Sequence, residues 1–264
     1  MSETNLTSKQ IRELSRTSSE TLFGIQRDEN SNNPDGYSPV QPEQRATLIT
    51  PHCQVSVALR NGLKVIRAQS QCELPFLYRR EAAQVACVKG VGALLKAERA
   101  LLDAGLIRVH TLAQQRTNKC LWEILAPGYE ALGLSEPKWQ SKGGYLHKFC
   151  AHRIANTYIC QGYEAEIEYF HSNGKLVDLR VSNTSNEIFV EICASTPLEK
   201  ELSNIELDLR VAPYPNELLL AVTKRAMRDS LITLIAERLG NHRLPSQVRV
   251  VLAGDLIDSL KLPQ

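Results

Sequence analysis

The chain has 264 residues, 43% of them apolar, and a formal net charge of +2 at pH 7. That length and apolar content suffice for one large core or two ordinary ones, and so small a net charge excludes bulk attraction to nucleic acid, leaving any such affinity to a local basic patch. Seven cysteines, an odd number with no CxxC pair, argue against a disulfide framework and a structural zinc site and fit a reducing cytoplasm, and no signal peptide or bilayer-spanning apolar run is read.

Residues 1–46 read as a flexible arm, because the stretch RDENSNNPDGYSPVQPEQR lacks the apolar residues that offset the entropy of ordering. A short helix over 8–14 is expected within it, capped by Ser8 with Ile11 and Leu14 on one face. Residues 51–70 carry Val55, Leu59, Leu63 and Ile66 at helical spacing. A second helix follows Pro75, using Phe76, Leu77, Ala83 and Val85. The clearest helix of this half runs over 88–107, with Val91, Leu94, Leu95, Leu101 and Leu102 for burial and Gly105 as its stop. Two short strand-like runs, 107–112 and 119–125, then flank the polar tip AQQRTN, and a helix over 127–132 closes the unit.

Three helices followed by a hairpin, with the phrases DAGLIRV and APGYEALG, resemble the winged helix-turn-helix modules of many bacterial and archaeal DNA-binding proteins. The resemblance implies a DNA-binding domain over 47–134 whose longest helix enters the major groove. Lys89, Lys96 and Arg99 would then face DNA from that helix and Arg79 and Arg80 from the one before it. Arg116 and Lys119 on the wing would reach phosphate or the minor groove. The competing reading is an ordinary solvated face balanced by Glu81, Glu98 and Asp103, or a protein-docking module.

Residues 135–142, SEPKWQSK, read as a linker, and a second unit opens at the hinge Gly143-Gly144. Its first helix buries Leu146, Phe149, Ile154 and Ile159 and stops at Gly162; YEAEIEYF alternates as a strand. GKLVDLRVSNTSNEIFVEICAST then reads as a β-hairpin, two alternating runs joined by an Asn- and Ser-rich turn. Alternation sends Asp178 and Glu191 from neighbouring strands toward one point, with Val177, Leu179, Val190 and Ile192 on the other side. Two converging carboxylates suit Mg²⁺, a hard cation that prefers oxygen ligands and keeps several waters. A helix (PLEKELSNIELDL), a strand (ELLLAVT), a helix over 224–239 and a strand (VRVVLA) complete the unit. The continuous apolar runs LLLAV and VRVVLA read as central strands covered on both faces.

The order α-β-β-β-α-β-α-β, with an acid on one strand and a second acid after the hairpin, resembles the PD-(D/E)xK superfamily, the restriction-endonuclease-like fold. That resemblance implies an α/β class, α+β overall, with a mixed central sheet over 143–264. It also implies Mg²⁺-dependent phosphodiester hydrolysis, with Asp178 and Glu191 as catalytic and metal-binding residues. Two positions after Glu191 the family has a lysine, and this chain has Cys193, which supplies no fixed positive charge. Lys200 on the following helix, or Lys175, would replace it by migration. The helix before the first strand offers His147 and His152 in place of an acid. Ser195 and Thr196 would hydrogen-bond phosphate or water, or Thr196 would cap the helix before Pro197.

More narrowly, GGYLHKF, GYEAEIE, VDLRV and VEI after a winged helix are similar to a tail of ATP-binding proteins of the DNA-translocating, type IV secretion-like class. The chain has no GxxxxGK[ST], so it would be such a tail standing alone or working beside a separate ATPase partner. The expectation is a DNA-binding protein of a mobile-element or defence-type system with a degenerate nuclease-like domain. The alternatives are a Mg²⁺-dependent DNA endonuclease and a winged-helix transcription regulator.

Overall fold

Helix α1 (Val57–Ser70) starts at Ser56, whose hydroxyl accepts from Leu59 N–H at 3.1 Å and so satisfies one of the unpaired donors of the first turn. The chain is described here by a computed structural model covering residues 55–139, 142–171, 174–209, 217–238 and 246–259; the arm over 1–46 and its expected helix lie outside them. α1 packs on α3 (Val91–Asp103) at Gly62, where an added Cβ would come within 2.6 Å of Leu101 Cγ. α2 (Arg79–Val85) lies between them in sequence, and the expected stop at Gly105 is present, with φ of +66° just beyond α3. β1 (Ile107–Ala113) pairs antiparallel with β2 (Asn118–Ile124), and α4 (Ala126–Ala131) follows with Pro127 in its first turn. Leu59, Ile66, Leu94, Leu101, Ile107 and Trp122 form the core of this half.

The second half is built on a mixed sheet of five strands. β3 (Glu164–Phe170), β4 (Leu176–Ser182) and β5 (Glu187–Cys193) run antiparallel in sequence order, then β6 (Glu217–Val222) and β7 (Val248–Leu252) add in parallel with β5. Asn183 makes the β4–β5 turn, its side-chain oxygen accepting from the N–H groups of Ser185 and Asn186. α5 (Tyr145–Ile159) and α8 (Ala253–Ser259) bury Phe149, Ile154 and Ile257 with Leu179, Val190, Ile192 and Leu219. α6 (Leu198–Asp208) and α7 (Arg225–Arg238) bury Leu202, Ile205, Leu231 and Ile235 with Phe189, Cys193, Leu218 and Leu220. Strand residues of alternating parity therefore serve two helical layers, which explains the continuous apolar runs of β6 and β7. The mixed α/β class is as the sequence implies. α8 was not expected; LAGDLIDSL is only two turns long and opens directly off β7, so no turn residues announce it.

The two halves share a core. Phe76, Tyr78, Leu112 and Leu121 belong to the same buried cluster as α5 and α8, and the Trp139 ring, in the segment read as a linker, lies 4.9 Å from Phe76. The β1–β2 tip, which the sequence presents as a polar turn, is docked. Gln114 Nε2 donates to Gly254 O (3.0 Å) and Asp258 Oδ2 (2.6 Å), Gln115 N–H donates to the Asp255 carboxylate, and Arg225 donates to Thr117 O at 3.0 Å and to Gln114 O. Ala113 N–H donates to Thr223 O at the end of β6.

Gly254 permits that docking, since a Cβ there would stand 2.7 Å from Ala113 O and 2.8 Å from Gln114 Cγ. Gly254→Ala is expected to destabilise the protein by about 1–3 kcal/mol, the cost of overpacking a fitted contact. Thermal denaturation checks it, and an unchanged midpoint would show that the tip is not held. No helix among the described residues is long and apolar enough to cross a membrane.

Candidate metal and phosphodiester site

β4 and β5 pair from Ser182↔Glu187 to Leu179↔Val190 and then part. Beyond that point β5 continues along β6 as far as Cys193, so a fork opens between the two strands. Asp178 and Glu191 are the first residue on each prong. Opposite Asp178 on the other side, the β3–β4 ladder skips Glu168, whose φ of 56° is left-handed for a non-glycine residue. The break has a consequence for Val177: it joins the cluster of Phe189 and Cys193 rather than that of Leu179, Val190 and Ile192, correcting the expectation that all four share a side.

Helices from both layers close the fork into a cavity of about 170 Å³, lined by His147 of α5, by Lys175 just before β4, by Leu176, Asp178, Glu191 and Ile192 of the strands, and by Thr196, Glu201 and Asn204 at and on α6. Asp178 Oδ2 accepts from Ile192 N–H at 2.8 Å and stands 3.0 Å from His147 Nε2. His147 is itself set by Gly143, which has φ of +101° and leaves only 3.1 Å between a would-be Cβ and the His147 ring. Lys175, one residue before β4, brings its ammonium to 3.6 Å from Glu191 Oε1, donates to Asn204 O at 2.9 Å and pairs with Asp208 Oδ1.

The charges explain themselves by position. Burial works against ionised Asp178, but the hydrogen bond and charge of His147 and the Ile192 N–H outweigh it and hold this carboxyl below its usual range. Glu191 is 7% exposed, and burial first, then the charges of Asp178 and Asp208, push it well above the usual glutamate value, with Lys175 opposing. Burial also raises Glu201, against hydrogen bonds from Thr196 and Cys193. Cys193 is fully buried, and burial raises its thiol well above the ordinary range, so it remains neutral and serves the core.

No family model, curated protein or solved structure matches this chain. Glu191 Oε1 is buried and accepts no hydrogen bond among the described residues; the Lys175 ammonium 3.6 Å away is shared with Asp208, and Asp178 is a further carboxylate beside it. One ammonium among three carboxylates leaves negative charge that a proton or a further cation would balance. Among the described residues no group of three or more His, Cys, Asp and Glu is arranged to hold a metal, so the fit rests on two carboxylates. Mg²⁺, which keeps several waters, asks for no more than that.

The structure does not gather every residue the sequence singled out. Asp178, Glu191, Lys175, His147 and Thr196 meet at the cavity. Lys200 does not: it is exposed on the first turn of α6, where the next residue, Glu201, faces inward and the helix turns Lys200 about 100° away. His152 stacks on Phe76 at 4.8 Å, and Thr196 bonds Glu201 while Pro197 takes the cap position. Arg79 is turned inward, bonding both oxygens of Glu98 at 3.0 and 2.9 Å, and Trp122 Nε1 donates to the same carboxylate. Lys119 pairs with Asp258 at 3.1 Å over the Tyr78 ring. Arg80, Lys89, Lys96, Arg99 and Arg116 are exposed, Arg99 beside Asp103 at 3.5 Å. On α3 they share the surface with exposed Val91, Leu95 and Leu102. Asp208 and Glu201 were missed because both read as ordinary helix acids; their burial is the signal, and only the packing of α6 reveals it.

Without added metal, protonated Glu191 is favoured in the fold, whereas in the unfolded chain the group ionises near its ordinary 4.5. Its contribution is therefore complete below that value and is lost as pH rises through the elevated folded value. Urea midpoints of the wild type and Glu191→Gln are expected to diverge as pH rises, with the variant becoming the more stable. Midpoints that stay parallel would contradict the shift.

Proposed function

We propose that the protein is a divalent-metal-dependent nuclease that hydrolyses DNA phosphodiester bonds at the β4–β5 fork. The observation that carries this is the Lys175 ammonium, 3.6 Å from Glu191 in the cavity that also holds Asp178. A chain with Cys193 at the usual lysine position thus keeps two acids and a cation together. When bound, Mg²⁺ would polarise the phosphodiester and make a water a better nucleophile. Asp178 and Glu191 would hold the ion, His147 and Ile192 N–H fix the orientation of Asp178, and the Lys175 ammonium would place positive charge beside the attacking water and the phosphate. DNA would be engaged through exposed Arg80, Lys89, Lys96, Arg99 and Arg116, a reading supported by the winged-helix-like order of α1 to β2.

The test is nicking of supercoiled plasmid with Mg²⁺ or Mn²⁺, with and without chelator, and DNA binding measured in parallel. Metal-dependent nicking is expected. Binding without nicking would favour the second reading, a non-hydrolytic DNA-binding scaffold, for which the neutral, buried Cys193 is the supporting observation.

A further inference from the structure

α6 ends on a carboxylate that the chemistry above does not use. Asp208 is its last residue and, at 1% exposed, the most buried charged side chain among the described residues. A negative charge at a helix C-terminus opposes the helix dipole, and a buried carboxylate needs a partner, so the position is unfavourable for folding on both counts. Its partner is Lys175, whose ammonium touches Asp208 Oδ1 while also reaching Asn204 O, one turn earlier in α6, and Glu191. The base of that side chain is fixed too, since Lys175 O accepts from His171 N–H at 2.7 Å. Asp208 does not line the cavity, so it has no access to a substrate there.

We propose that Asp208 is a positioning residue that holds the Lys175 ammonium against Glu191, so that Lys175 and Asp208 together supply the fixed cation that Cys193 cannot. A lysine side chain has four flexible carbons and gives up that freedom only against a strong partner. Asp208 is that partner, and with Asn204 O it holds the ammonium where it stands 3.6 Å from Glu191. The catalytic consequence rests on the nuclease reading; the positioning does not.

Two measurements separate them. In limited acetylation with peptide mapping, Lys175 of the wild type is expected to react more slowly than exposed Lys200, and Asp208→Asn to speed its reaction about tenfold, the scale of a lost charge-assisted bond. Asp208→Glu, which keeps the charge, is expected to restore protection, and it stands in for the comparison should the Asn variant not fold. In plasmid cleavage, Asp208→Asn is expected to lower kcat about 10- to 100-fold with KM for DNA unchanged. Adding it to Lys175→Met should lower kcat no further. Unchanged acetylation of Lys175 in Asp208→Asn, or losses that multiply in the double variant, would overturn the proposal. A wild type that does not cut DNA, with the acetylation pattern as expected, would sink the nuclease reading and leave the Lys175–Asp208 positioning standing.

Discussion

Asp178→Ala and Glu191→Ala are each expected to reduce metal-dependent DNA cleavage about 1,000-fold, the several kcal/mol of transition-state stabilisation that a bound metal supplies. Either substitution removes one of the two carboxylates at the fork, and a cation held by a single carboxylate would have no fixed position relative to Lys175. DNA affinity measured in chelator is expected to change little, because the exposed basic residues lie on α2, on and before α3 and at the β1–β2 tip, outside the cavity lining. Single-turnover rates and a binding titration on the same preparations give both quantities. Cleavage that survives in both variants would place the chemistry elsewhere.

Phe149→Ala is expected to cost about 3–5 kcal/mol, the range for emptying a buried phenylalanine site. The ring is fully buried on α5, edge-on to Phe76 at 6.3 Å and tilted against Tyr78 at 5.3 Å. Those two residues come from the N-terminal half, so the loss falls on both halves at once. One cooperative thermal transition is expected in wild type and variant alike, with the midpoint lowered by roughly 10 °C. Two separable transitions in the wild type would show that the halves fold independently and that the shared core contributes little.

The hairpin that carries the acids was legible because three signals agreed: alternation in LVDLRV and EIFVEICA, an Asn-rich turn, and an acid on each run at the parity that points both to one side, Asp178 and Glu191 lying just beyond the last pair, Leu179 with Val190. Alternation could not reveal the left-handed Glu168 and the break beside Asp178, because that is a backbone state rather than a pattern. Nor could it separate Lys175 from Lys200. Both are near the hairpin in sequence, and only the rotation of α6 sends one outward while the fork draws the other in. Asp208 lies 33 positions beyond Lys175, and nothing local marks it as that residue's partner. The polar turn over 114–117 reads as a solvated tip, yet its main-chain groups are satisfied by Asp255 and Arg225 from the far end of the chain. Contacts at such separation have no periodic signature.

A divalent-cation site at the fork is tested without knowledge of the DNA substrate by Mn²⁺ binding followed by electron paramagnetic resonance. Wild-type protein is expected to take up Mn²⁺, with Mg²⁺ competing, and the Asp178→Ala and Glu191→Ala variants to lose that binding. Absence of uptake by folded wild type, or uptake unchanged in both variants, would contradict it.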